Sequence, residues 1–389
     1  MSTDFLNLRH DPRIDHLRCF AAGLVFLFHF YLHFYQPDVA ALTALPWLGI
    51  ITEGHTGVGL FFTLSGFLFM QIALHNRTIE YRSFIRNRML RIFPLFTVVF
   101  VVALSIGRDN FVPQDAFYFF FTNLGHAPTS NHFITGAAWT ISVECAFYLV
   151  FPFLARFSMQ IGPRYLLQWL VLLLLFKLAA YNVMERSTHM LFSTLVGRFD
   201  QFLIGMLAAM LLQRYRAHPL LKNPFLVLAA LMLVVANSAL QSRYGSFAQS
   251  APKQAFWITW SMQESLIWSI FIVAWVTAPL RLPRWLDQAL QQGGRISFSF
   301  YLLHAMVIYL AHLWIGLPHL TGNGWLDAVI VAVPVYGLTW TIALLSYSTI
   351  EKPFLGLRKR YGTPYTEPGK ASNGPPASGE LIASQQPLR

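Results

Sequence analysis

The sequence predicts an all-α, polytopic integral membrane protein of about ten transmembrane helices, and three observations carry that prediction. Of its 389 residues, 55% are hydrophobic and only 12% charged, about half the charge of a soluble globular domain. Apolar runs of about 18 to 24 residues, the length a bilayer crossing needs, recur ten times. Lys and Arg are also one-sided. With the N-terminus inside, 22 of the 28 fall in inner loops, at inner helix ends or in the terminal segments, which puts both termini in the cytoplasm. This placement accounts for the net charge of +11: basic residues flank apolar runs rather than forming a patch, so the bilayer and not nucleic acid is the expected partner.

The spans are expected near 14–35, 56–75, 89–106, 137–157, 164–182, 192–213, 224–240, 256–279, 296–317 and 325–349. The first apolar run is long and has no small-residue cleavage site, so it is expected to remain as a helix. Residues 1–360 form one membrane domain. Residues 361–389, rich in Pro, Gly, Ser and Gln, are expected to be a disordered cytoplasmic tail. Cys19 and Cys145 both fall inside spans, which argues against a secreted disulfide framework.

Span one, RIDHLRCFAAGLVFLFHFYLHFY, carries the first polar signal. Arg18 and His29 are eleven residues apart; at ~100° and ~1.5 Å per residue they share a helix face and lie roughly 16 Å apart along the axis. His29 sits among Phe26, Leu27, Phe28 and Phe30, where a polar group faces a protein interior or a cavity. Arg13 and His16 read as inner anchors, and His33 as interfacial. Span two, GVGLFFTLSGFLFMQI, interrupts a Phe/Leu background with Gly57, Gly59, Ser65 and Gly66; small residues allow close helix packing or open the backbone to a ligand. Glu53 and His55 at its outer end are candidates for a polar vestibule.

The next inner segment is the densest basic run, with Arg77, Arg82, Arg86, Arg88 and Arg91. Arg88 and Arg91, three apart, share a helix face, and guanidinium forks suit phosphate. The outer segment 107–136 contains FYFFFTNL, expected at the interface, with His126 and His132 beyond it. Span four opens WTISVECAFYLVFP, placing Trp139 at its start and the carboxylate of Glu144 inside the membrane, a functional candidate by default. Arg198 and Asp200 of span six are expected to pair with other buried charges, and Glu264 of span eight is a weaker candidate. In span nine, Ser297, Tyr301 and His304 follow i, i+4, i+7 spacing and form one polar stripe. Glu351 is expected to cap the end of span ten beside Lys352.

Together these residues resemble the acyltransferase-3 family of membrane-bound O-acyltransferases. The resemblance covers about residues 10–357 and rests on six segments in order: Arg18-x10-His29, FFTLSGFL, RMLRIFP, WTISVECAFYLVFP, GRFDQFLIGML and SFSFYLLH. It implies transfer of an acyl group, often acetyl, from cytoplasmic acyl-coenzyme A to sugars of surface polysaccharides, lipopolysaccharide or related glycans, at the inner membrane of a bacterium. It further implies His29 and Arg18 as the catalytic motif, to which the membrane-embedded Glu144 is added as a catalytic candidate, and Ser65, Gly66, Arg88 and Arg91 as the donor site. Trp139, Tyr301 and His304 are assigned to the acceptor. Acyl-coenzyme A is a co-substrate; no permanently bound cofactor and no metal is expected. One departure stands out: family members commonly follow the motif glutamate with a second acid and Gln, where this chain has Cys145 and Ala146. A covalent acyl-cysteine at Cys145 is disfavoured, since it points ~100° away from Glu144 on the helix.

The chemistry is consistent with this resemblance. Moving an acyl group from a thioester to a hydroxyl needs a base that works near neutrality, and histidine is the side chain closest to that. His29 is therefore the expected general base, with the oxyanion stabilised by hydroxyl or backbone N–H groups near Ser65 and Gly66. Arg18 is too distant on a straight helix to partner His29 and is assigned to the donor. Two other classes are considered: a proton-coupled transporter relaying protons through His29, Glu144 and His304, and a non-catalytic scaffold for lipid-linked glycans. A transporter gains little from paired arginines suited to coenzyme A.

Overall fold

A computed structural model describes residues 10–34, 46–76, 78–106, 139–246, 251–316, 320–322 and 324–361. The segment FYFFFTNL, Arg77, His126, His132, the side chain of His33 and the tail beyond Tyr361 lie outside the described residues. Every expected span coincides with a helix: α1 (Pro12–Phe34), α2 (Thr56–Asn76), α3 (Tyr81–Ile106), α4 (Trp139–Ile161), α5 (Pro163–Val183), α6 (Leu195–Tyr215), α7 (Phe225–Tyr244), α8 (Phe256–Thr277), α10 (Ser297–Ile315) and α11 (Gly324–Ser346). Between α8 and α10 runs a further helix, α9 (Arg284–Arg295). Among the described residues the regular elements are all helical. Seven helical segments, those containing α2, α4, α5, α6, α7, α10 and α11, are long and apolar enough to cross a membrane by length and composition alone. The chain is a helical, polytopic membrane protein.

Helix α2 is the central post of the bundle. Its glycines explain why: a Cβ built on Gly57 would strike the Ala21 carbonyl of α1, and one on Gly66 would strike the Phe202 backbone of α6. The contact with α6 is reciprocal, because a Cβ on Gly205 would strike the Thr63 carbonyl of α2. Such seams let backbones approach where lipid supplies no hydrophobic drive for helix association. By contrast α5 and α11 lie at the periphery, exposing Val171, Leu175, Phe176, Val329, Val333 and Leu345 as a face matched to lipid tails.

Helix α9 was not apparent from the sequence, which reads there as a short basic inner loop. It is amphipathic, with Trp285 exposed and Gly293 and Gly294 buried. The two glycines let it press onto α1, against the Cys19 sulfur and the Asp15 backbone. Asp287 of α9 also lies 3.1 Å from His16 Nε2 of α1. Arg13, expected as an anchor, donates to the carbonyls of Trp275 and Leu280, satisfying acceptors left over at the end of α8.

Candidate active site

A cavity of about 730 Å³ opens between α1, α2, α3, α4 and α10. Three arginines, Arg18, Arg88 and Arg91, line it, and so do Ser65, Glu144, Tyr148, Thr140, Ser297 and Tyr301. Phe61, Phe62 and Phe69 give it apolar walls. The arginines gather at the end of the bundle where the basic residues of the sequence cluster. Arg18 leans towards Asp15, 3.7 Å away one turn earlier on α1. The guanidinium of Arg88 stacks 4.8 Å from the Phe69 ring centre, and Arg91 pairs with Glu351 at 3.2 Å.

That pairing corrects one expectation. Glu351 is wholly buried; it meets Arg91 and accepts a hydrogen bond from Ser299 instead of capping the helix beside Lys352. A π-helical turn over Tyr347–Glu351 rotates the carboxylate inward.

Deeper in the cavity, Glu144 Oε1 accepts from the Tyr148 hydroxyl and lies 3.4 Å from Ser65 Oγ. Tyr148 is i+4 from Glu144, so helical spacing alone would have identified it. A carboxylate in a largely apolar wall is tolerated because donors meet it there. Gly66 does not share this setting: it packs against Phe202 of α6, so of the Ser65–Gly66 pair only Ser65 lines the cavity. The far end is bounded by Thr140 Oγ1 and the Tyr301 hydroxyl, 3.1 Å apart. Trp139, one residue before Thr140, turns away from the cavity to pack on Phe192 and Phe62.

His29 and His304 meet directly, with His304 Nε2 3.1 Å from His29 Nδ1 and ring centres 4.8 Å apart. Neither ring lines the cavity, but the Tyr301 ring, which does, stands 5.7 Å from that of His304. Tyr301 thus separates the cavity from the histidine pair. The carbonyls nearby fix the tautomers. His29 Nδ1 is 2.9 Å from the Val25 carbonyl and His304 Nδ1 faces the Tyr301 carbonyl. A carbonyl only accepts, so in the neutral pair each Nδ1 carries the proton. The one proton on His29 Nδ1 is then shared between the Val25 carbonyl and His304 Nε2, and Nε2 is the unprotonated nitrogen of His29.

A second group of buried charges lies against Gly59 of α2. Lys177 of α5 pairs with Asp200 of α6 at 2.6 Å, and Arg198 pairs with Glu264 of α8 at 3.1 Å. Gln201 donates to the same Glu264 oxygen at 2.6 Å. All five side chains are fully buried. These are the partners expected for Arg198 and Asp200, and they make Glu264 part of a helix clamp. Glu53 and His55 are not a vestibule: they are buried and paired at 3.0 Å, with Gln241 3.1 Å from His55.

With this geometry in place, comparison with known proteins decides the class. The acyltransferase-3 family model, described as an acyltransferase domain, matches residues 11–344. The chain belongs to the acyltransferase-3 family. Membership makes it an acyltransferase and sets aside the transporter and scaffold readings. Similar proteins include the acyltransferase MdmB of Streptomyces mycarofaciens, 26% identical over 94% of this chain and 97% of that protein. Nodulation protein 10 of Rhizobium leguminosarum bv. viciae is 26% identical over 90% of this chain and 94% of its own length. A putative O-acetyltransferase of Staphylococcus aureus is 25% identical over 82% of this chain, which spans 57% of that longer protein. No solved structure matches the chain.

Proposed function

We propose that this acyltransferase moves an acyl group, acetyl by preference, from cytoplasmic acyl-coenzyme A to a hydroxyl of a surface or exported glycan, with His29 as general base. The observation that carries the reading is the cavity: three arginines at its basic end, a Glu144–Tyr148–Ser65 cluster within it, and the His29–His304 pair one tyrosine beyond it. Arg18, Arg88 and Arg91 receive the phosphates of coenzyme A, where planar guanidinium forks bind best. Phe61, Phe62 and Phe69 shelter the pantetheine arm from water. The thioester then lies at Tyr301, and the acceptor hydroxyl meets it at the edge of that ring, beside His29, which is half-buried rather than sealed.

In the reaction, His29 Nε2 takes the proton of the acceptor hydroxyl as its oxygen bonds to the thioester carbonyl carbon. The tetrahedral intermediate expels coenzyme A by breaking the C–S bond, and the departing thiolate takes the proton back from His29. The Tyr301 hydroxyl in the cavity lining donates to the developing oxyanion. A bacterial inner membrane is the setting this reading requires, because acyl-coenzyme A is made inside and the glycan is displayed outside. Similarity to the putative O-acetyltransferase of Staphylococcus aureus supports acetyl as the group moved.

The test uses membranes holding the full chain, radiolabelled acetyl-coenzyme A and extracted cell-surface glycan. His29→Ala is expected to lower label transfer by about 10²- to 10⁴-fold, the usual contribution of a positioned base, with the protein present in membranes at its normal level. Transfer at the unsubstituted rate would exclude His29 as the base.

A further inference from the structure

The tail that composition marks as disordered begins with a residue that is not. Tyr361 is 1% exposed, and residues 359–361 lie along the basic end of α3 as a strap. Three hydrogen bonds hold it. The fully buried Asn87 side chain acts as a substitute peptide group: its Nδ2 donates to the Lys359 carbonyl at 2.6 Å and its Oδ1 accepts from the Lys359 N–H at 2.9 Å. The Glu80 N–H donates to the Tyr361 carbonyl at 2.6 Å. So tethered, the Tyr361 ring packs 5.4 Å from that of Phe84, and its hydroxyl accepts from Arg88 Nη2. Tyr361 lies outside the cavity lining, whereas Arg88 is part of it.

We propose that Tyr361 is a positioning residue for the donor site, holding the Arg88 guanidinium in the orientation that meets a coenzyme A phosphate. This rests on the reading of the cavity as the acyl-coenzyme A site. Arg88 has a long, flexible stem, and an arginine free to rotate must be ordered whenever a ligand binds. Here Phe69 supports one face of the guanidinium and the Tyr361 oxygen fixes one edge, leaving the remaining N–H groups for the cavity. Because the fork binds phosphate through paired N–H groups in one plane, a rotation that preserves the charge still loses the geometry. The strap therefore ties the end of α11 to donor affinity rather than to the chemical step.

Kinetics on the full chain in membranes test this. Tyr361→Phe keeps the ring and removes the acceptor oxygen; it is expected to raise KM for acetyl-coenzyme A about five- to thirtyfold, with kcat changed less than about twofold. Asn87→Ala, which releases the strap, is expected to shift KM the same way, and it decides the matter if Tyr361→Phe protein does not accumulate. A chain truncated after Tyr361 is expected to keep the full-length KM. In an Arg88→Gln background, Tyr361→Phe is expected to add nothing to the raised KM. An unchanged KM in Tyr361→Phe, or a lower kcat at unchanged KM, together with a raised KM in Arg88→Gln, would overturn the positioning role alone. An unchanged KM in both Arg88→Gln and Tyr361→Phe would overturn the cavity as the donor site.

Discussion

Replacing His304 by Phe isolates the contribution of the histidine pair. His304 is 1% exposed, and Phe fills a similar volume while removing the Nε2 that lies 3.1 Å from His29 Nδ1. When His29 takes the acceptor proton it becomes a cation, and its bond to His304 becomes charge-assisted. Hydrogen bonds of that kind contribute about 1.5–3 kcal/mol, and ~1.4 kcal/mol is a tenfold change in rate. The expected loss in kcat is therefore about tenfold to 150-fold, less than for His29→Ala because Nδ1 keeps the Val25 carbonyl at 2.9 Å. KM for acetyl-coenzyme A is expected to stay unchanged, as the arginines lie at the other end of the cavity. Initial rates of label transfer, normalised to immunodetected protein, measure the effect. Two results would refute the reasoning: unchanged kcat in His304→Phe, or a His29→Ala/His304→Phe double variant slower than His29→Ala by the full His304 factor, since two members of one unit do not add.

Two further outcomes follow from packing. Lys177→Met leaves Asp200 as a buried charge without its 2.6 Å partner and is expected to destabilise the protein by about 3–5 kcal/mol, whereas Lys177→Met/Asp200→Leu recovers most of that loss; thermal unfolding in detergent separates them, and equal losses in both would contradict it. Gly66→Ala puts a methyl group into the Phe202 backbone and is expected to lower stability by about 1–3 kcal/mol. An unshifted unfolding temperature would mean that the α2–α6 seam is looser than described.

Much of the architecture was legible in the sequence because a bilayer imposes one length on each span and one sign on each loop. All ten expected spans lie on helices, with ends shifted by a few residues. The polar stripe of Ser297, Tyr301 and His304 was readable from spacing, as was the sharing of a face by Arg88 and Arg91. Single-helix periodicity could not show which helices meet. Arg18 and His29 share a face of α1, yet only Arg18 reaches the cavity, because Tyr301 of α10 stands between the cavity and the histidines. Gly66 could be read as a packing gap or as an opening for a ligand, and it meets the Phe202 backbone; a small residue reads the same in both settings. Glu351 was matched to its neighbour Lys352, when its partner, Arg91, is 260 positions away. Tyr361 was hidden by the composition of the segment that follows it. Helix α9 was missed because twelve residues are too few to register as a span.

The glycine seams around α2 also divide the cavity into fixed and movable walls. Backbone is pressed directly onto backbone where α2 meets α1 at Gly57 and α6 at Gly66 and Gly205, so these helices have almost no slack along which to slide. Side chains fill the contacts of α3, α4 and α10 around the cavity, and rotamers can adjust where backbones cannot. Any fitting of a bulky nucleotide thioester then falls to the side chains of α3, α4 and α10, with α1 and α2 as the fixed walls of the cavity.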